Sequence, residues 1–216
     1  MEHKKEMNPK PIWLGTMILK FEMPLQFVDD INEIYDKHIK ELPHHNNKLA
    51  GKIVNEHTID HLLTDDMKVG FKSMFRTYLV HVQKPYWDCK LTSAWVNEMK
   101  INEYNPFHYH TSQNTELGLS SVLVLKTPDS YGSEITRPDM PANGHLEFIG
   151  GSQDLLGRTN LKVNAEEGEF YIFPYSLMHG VYPFSDTDEK RRTLSYNCDL
   201  IKHNQGIGDV IESYKT

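Results

Sequence analysis

Two histidines stand two residues apart in Asn105-Pro106-Phe107-His108-Tyr109-His110-Thr111. In an extended chain residues i and i+2 share a face, so His108 and His110 aim their imidazoles at one point. Imidazole pairs of this kind suit iron, zinc, copper or nickel. A third histidine, His179, follows the apolar run Glu169-Phe170-Tyr171-Ile172-Phe173-Pro174. The proline ends the strand, and a short loop delivers His179 ahead of Gly180 and Val181. A fourth feature lies further on, where an acidic turn from Asp186 runs into Lys190-Arg191-Arg192-Thr193. Alternation there puts Arg191, Thr193, Ser195 and Asn197 on one face, with Arg192, Leu194 and Tyr196 on the other. A guanidinium with a hydroxyl two residues on can clamp a carboxylate, by paired hydrogen bonds and a third. Each feature alone also reads as polar surface: a surface pair, a histidine after a turn, a solvated charge run.

The rest of the chain has to position these groups. Residues 12–23 alternate, with Trp13, Met17, Leu19 and Phe21 in one phase, and read as a strand that Pro24 ends. Residues 25–41 place Phe27, Val28, Ile31, Ile34, Tyr35 and His38 at helical spacing, and the helix stops before Pro43. His44-His45-Asn46-Asn47 reads as a solvated loop. Residues 64–82 form the clearest helix, with Thr64 and Asp65 at the cap and one stripe of Met67, Phe71, Met74, Phe75, Tyr78 and Val82. Such a stripe is core, and the two helices are expected to pack on one face of a sheet.

From residue 93 the texture changes to short β-like runs: 93–101, 120–126, 145–149, 160–163, 169–173 and 193–201. Trp95, Asn97, Met99 and Ile101 share one side of the first. Gly132, Pro138, Pro141, Asn143-Gly144, Gly150-Gly151 and Glu167-Gly168 punctuate them. Helices first and an antiparallel sandwich or barrel afterwards is an α+β pattern. We read residues 1–216 as one domain, with 1–90 as a helical support region and 91–203 as a jelly-roll core.

A net charge of −7 argues against a general nucleic-acid binder, which needs a basic surface; only Lys190 to Arg192 offers a local basic patch. No apolar run reaches membrane-spanning length, and the first residues carry charge without an apolar segment of signal-peptide type behind them. The expected location is cytoplasmic. Cys89 and Cys198 match no zinc spacing and make no disulfide framework, so buried or partly buried thiols are expected.

In order, His-x-His, a distal His after Phe-Pro, and Arg-x-Thr on the next strand resemble the Fe(II)- and 2-oxoglutarate-dependent oxygenases. The likeness is greatest to a subfamily of bacteria and marine phages. Its signature runs Trp-x-Asn, His-x-His, Ser-Gly-Val-Tyr-Tyr, Gly-x-x-x-x-Phe-Pro-Ser-x-x-x-His-x-Val-x-Pro and Arg-x-Ser-x-x-x-Asn. This chain offers Trp95-Val96-Asn97, His108-Tyr109-His110, Ser120-Ser121-Val122-Leu123 and Gly168 through Phe173-Pro174 to His179. Val181, Pro183, Arg191, Thr193 and Asn197 continue it, and Tyr175 stands where the signature has serine. The resemblance covers residues 93–201.

That resemblance implies a double-stranded β-helix and a dioxygenase that uses Fe(II), 2-oxoglutarate and O2 to hydroxylate a C–H bond. It implies His108, His110 and His179 as metal ligands, with Arg191 and Thr193 on the distal carboxylate of 2-oxoglutarate. A protein or peptidyl residue such as proline is its first substrate class, a small metabolite the next and a nucleobase the third. For a phage-encoded member the location would be the host cytoplasm. The chain departs from the superfamily at the second ligand, where a carboxylate is usual. Either three histidines bind the metal or a carboxylate from elsewhere replaces one, Glu116 being the nearest downstream. A register starting at His110 would make Ser112 its poor partner. By phase Arg191 takes the carboxylate, and Arg192 is expected to pair with Asp186, Asp188 or Glu189 at the surface. Asn97 and Asn105 are candidate acceptors for the ligands' remaining N–H groups. Two other classes remain: a cupin-like metal-binding protein without 2-oxoglutarate turnover, which has no need of Arg191-x-Thr193, and a structural protein with surface histidines.

Overall fold

A computed structural model describes residues 15–45, 51–133, 138–151 and 158–202. Strand β1 (Leu19–Glu22) leads into helix α1 (Leu25–His38), and β2 (Asn55–Thr58) into α2 (Asp65–His81). Eight strands follow: β3 (Trp87–Met99), β4 (Asn105–His108), β5 (Gly118–Lys126), β6 (Leu146–Ile149), β7 (Asn160–Val163), β8 (Glu169–Pro174), β9 (Met178–Val181) and β10 (Arg191–Lys202). They make a six-stranded sheet in the order β1-β8-β5-β10-β3-β2 and a four-stranded sheet in the order β4-β9-β6-β7. Every neighbouring pair is antiparallel. This is the expected double-stranded β-helix with helices on one sheet.

Alternation sorts the large sheet's side chains into two layers. Its outer face carries Leu119, Leu123, Leu125, Phe170, Ile172, Leu194, Tyr196 and Cys198, and both helices bury their apolar stripes there. Helix α2 begins as expected: the Thr64 side chain accepts from Met67 N at 3.2 Å. Cys89 and Cys198 are buried, free thiols. The inner face packs Val122, Val124, Tyr171 and Phe173 against Leu146, Phe148 and Leu177 of the small sheet's side. Polar residues occupy the rest of that interior, and they make the site.

Several expectations need correction. The N-terminal part is more than helical support, since β1 and β2 are the two edges of the large sheet. Trp13, Asn46 and Asn47 lie outside the described residues. His45 is not in a solvated loop: it is buried, stacks on Trp95 at 4.8 Å and meets Thr58 Oγ1 at 3.2 Å. Ile101 lies past the end of β3 and is exposed. Arg192 is not a surface residue paired with the acidic turn. It is buried beneath α1, where Nη2 reaches Glu98 Oε2 at 2.6 Å and Asp36 Oδ1 at 2.7 Å. Its guanidinium also lies 4.6 Å over the Tyr35 ring. Glu98 on β3 is opposite Arg192 on β10, and only this cross-strand register brings a buried carboxylate to it.

Candidate active site

Strands β4 and β9 pair so that His108 lies directly opposite His179. The segment 174–181, expected to deliver His179 from a loop, places it instead on a short strand. Gly180 permits the close approach: a Cβ there would sit 3.0 Å from Asn105 O. His110 lies just past the end of β4, where its backbone N–H donates to Tyr175 O at 2.9 Å. The three rings gather with ligand atoms within 4.8 Å of one another, and His110 Nε2 stands 3.2 Å from His179 Nε2.

The tautomers follow from the backbone. His108 Nδ1 faces Pro106 O at 2.7 Å and His179 Nδ1 faces Leu177 O at 2.9 Å. A carbonyl oxygen only accepts, so each Nδ1 carries the proton and each Nε2 keeps its lone pair. Carbonyls two residues upstream therefore do the work that Asn97 and Asn105 were expected to do. Asn97 donates instead toward Ser195 Oγ at 3.4 Å, and Asn105 Oδ1 has no partner. Burial lowers the pKa of all three imidazoles; His179 falls to about 3, and neighbouring imidazoles add to the effect at His110 and His179. At neutral pH the set is uncharged, the state a metal ligand requires. Glu116 is exposed, and among the described residues no carboxylate joins the cluster.

Arg191 starts β10 on the same inner face, opposite Met99. It is 1 % exposed, and its Nε and Nη2 have no partner. Tyr131 supports it by a hydrogen bond, and among the described residues no carboxylate pairs with it. Burial lowers its pKa and the Tyr131 contact opposes that. Ile53, Met99 and Phe184 close this end of the barrel with an apolar plug. Between plug and imidazoles, Trp95 Nε1, Asn97 Oδ1, Ser120 Oγ and Asn197 Oδ1 are also buried without partners. Thr193 lies on the same face, buried and opposite Asn97. A buried polar group without a partner costs roughly 1–3 kcal/mol, and a buried unpaired charge costs more. So many on one interior wall leave hydrogen-bonding capacity that a polar, anionic occupant would satisfy. The three imidazoles are a donor set that suits Fe(II), and the Arg191 guanidinium is one that suits a carboxylate. Tyr131 was missed by sequence reasoning, and a lone tyrosine before Gly132 carried no signal that would have found it. A cavity of about 350 Å³ is lined by Ile18, Phe148, Leu177, Arg158 and Asn160 and by none of the three histidines; the Phe148 ring in its wall lies 6.2 Å from the His179 ring.

The six-stranded and four-stranded sheets thus carry a histidine cluster and a buried arginine. A family model described as "Putative 2OG-Fe(II) oxygenase" matches residues 93–197. Over those residues the chain is similar to the 2OG-Fe(II) oxygenases, which supports a 2-oxoglutarate-dependent dioxygenase that uses iron and 2-oxoglutarate. No curated protein matches it in sequence. Solved structures share the fold. A prolyl-4-hydroxylase from Pseudomonas putida has TM-score 0.58 at 14% identity, over 84% of this chain and 91% of that one. The collagen prolyl hydroxylase of Paramecium bursaria Chlorella virus-1, solved with 2-oxoglutarate, has TM-score 0.54 at 12% identity, over 84% and 96%. SnoN, an α-ketoglutarate-dependent epimerase of nogalamycin biosynthesis, has TM-score 0.55 at 14% identity, over 89% and 83%.

Proposed function

We propose that His108, His110 and His179 hold Fe(II), and that Arg191, Thr193 and Tyr131 bind the distal carboxylate of 2-oxoglutarate, in a hydroxylase of peptidyl proline. The observation that carries the reading is the buried Arg191 guanidinium, which has no carboxylate partner among the described residues. A desolvated cation held this way destabilises the fold by several kcal/mol unless an anion joins it. A cupin-like metal-binding protein would have no use for it. When bound, iron and 2-oxoglutarate supply oxygen activation, the cosubstrate leaving as succinate and carbon dioxide while a C–H bond is hydroxylated.

The chain's own part is positioning and exclusion. Carbonyls of Pro106 and Leu177 hold two imidazoles with Nε2 toward the common point. The Ile53, Met99 and Phe184 plug keeps water from the Arg191 end, which strengthens the carboxylate contact there. The cavity walled by Phe148 and Leu177 is large enough to take a side chain of the substrate. Peptidyl proline is favoured because two neighbours of the same fold are prolyl hydroxylases. The epimerase neighbour keeps a small metabolite as the next substrate class. We read residues 1–216 as one oxygenase domain.

Anaerobic addition of Fe(II) and 2-oxoglutarate should give a weak visible charge-transfer band that His179→Ala abolishes. Arg191→Ala should weaken 2-oxoglutarate binding by on the order of 100-fold, whereas Arg192→Ala should lower stability and leave that binding nearly unchanged. Equal effects of the two substitutions would sink the carboxylate assignment. Proline-containing peptides should raise succinate release above the uncoupled rate; a metabolite that does so alone would replace proline as the substrate.

A further inference from the structure

His110 is the ligand candidate that stands where a carboxylate is usual, and it is also the one outside the strand ladder. His108 and His179 are held by β4–β9 pairing and by backbone carbonyls. His110 has neither, yet it is 8 % exposed and in register with the other two. What holds it comes from the far half of β10. Asn197 Nδ2 stands 3.5 Å from His110 Nδ1, while Asn197 Oδ1 has no partner. A half-turn of that amide sets Oδ1 against Nδ1–H, which satisfies both and leaves His110 Nε2 bare, like its neighbours.

Two residues further along the same face, Asp199 is buried and holds the loop that carries His110. Its Oδ2 accepts from Ser112 Oγ at 3.1 Å and its Oδ1 from Tyr175 OH at 3.3 Å. Ser112 Oγ in turn accepts from Asn114 N and Thr115 N, both at 3.1 Å. One hydroxyl thus uses its single donor and both lone pairs, the full capacity of the group. Tyr175 closes the circuit, because its backbone carbonyl is the acceptor for His110 N–H and its own N–H donates to Gly118 O at 2.9 Å. Its ring lies over Gly118 so closely that a Cβ there would fall 2.0 Å from a ring carbon. The circuit uses a tyrosine where the family signature has serine.

We propose that Asn197 and Asp199 are positioning residues for His110, Asn197 fixing its ring and Asp199, through Ser112 and Tyr175, fixing the height of its backbone. This rests on the three-histidine reading. Strand β10 then serves the chamber at both ends, with Arg191 at its start and the His110 anchors beyond its middle.

The test is anaerobic titration of the apo-protein with Co(II) or Mn(II) alone, read by calorimetry and, for Co(II), by its visible absorption. Asn197→Leu and Asp199→Asn should each raise the metal Kd by about tenfold or more and change the Co(II) spectrum. Ser112→Ala and Tyr175→Phe, gentler cuts in the same circuit, should do so to a smaller extent, and Ser112→Thr should restore the wild-type value. Phe71→Leu, in the helix layer, should lower the melting temperature without moving Kd or spectrum. Wild-type Kd and spectrum in Asn197→Leu, Asp199→Asn and Ser112→Ala would overturn the positioning role while the histidine site stands. Failure of the wild type itself to take up either ion would remove the site and the inference together.

Discussion

At the scale of single residues, the site is organised by which atoms lack partners. Three imidazoles converge, and carbonyls at Nδ1 of His108 and His179 leave the Nε2 of those two as acceptors. Because burial keeps all three neutral, metal uptake near neutral pH should release no proton from the folded protein. The heat of Co(II) binding at pH 7.5 should therefore be the same in buffers of different ionisation enthalpy. A heat that tracks the buffer would mean that one ligand is protonated in the apo-protein or is not an imidazole. Arg191 is the complementary case, a cation waiting for an anion. Both features were visible as residue types in the sequence. Tyr131 was not, because it lies outside the strands, 60 residues before Arg191, and only the fold brings it to the guanidinium.

At the scale of elements, close strand approach does what loops were expected to do. The Gly180 backbone lets β9 sit against β4, and Ala at this position would bring Cβ to 3.0 Å from Asn105 O and 3.1 Å from Phe107 N. The strands would have to part, and His108 would separate from His179. Gly180→Ala should cost about 1–3 kcal/mol by overpacking and weaken Co(II) binding at least tenfold. Unchanged binding would show that β4 can shift without moving His108. Short four-residue strands such as β4 and β9 were poorly legible, since proline and glycine punctuation hides them and only the partner strand stabilises them. The longer elements, α2 and β10, were legible because their periodicity runs for many residues.

At the scale of the molecule, α1 is tied to the back of the catalytic sheet by a buried ion network. Glu98 receives Lys190 at 2.7 Å and Arg192 at 2.6 Å, and Asn32 and Asp36 of α1 hold the same arginine. Burial alone would raise the Glu98 pKa, but the hydrogen bonds and charges of Lys190 and Arg192 outweigh it and hold it low. A carboxylate with a depressed folded pKa contributes stability above its unfolded pKa, and that contribution is lost as pH falls through the folded value. Glu98→Gln should therefore cost about 1–3 kcal/mol at pH 7, because buried Arg192 keeps only Asp36 as an ion partner and Lys190 loses its own. The difference from wild type should shrink below about pH 4, as urea unfolding at the two pH values would record. A pH-independent difference would mean that Glu98 is not charged in the native state.

The sequence by itself determined the His108-x-His110 spacing, the alternation that puts Arg191 with Thr193, the apolar stripes of the helices, and the order of motifs that resembles an iron and 2-oxoglutarate oxygenase. Each of these is local: it depends on side-chain period and on residue type. Only the tertiary structure decided that His179 faces His108 across a ladder, that Arg192 turns outward to Glu98 while Arg191 stays inside with no carboxylate partner among the described residues, and that β10 meets the loop carrying His110. Those outcomes depend on register between strands far apart in the chain, and a shift of one residue would have sent every one of these side chains to the opposite face.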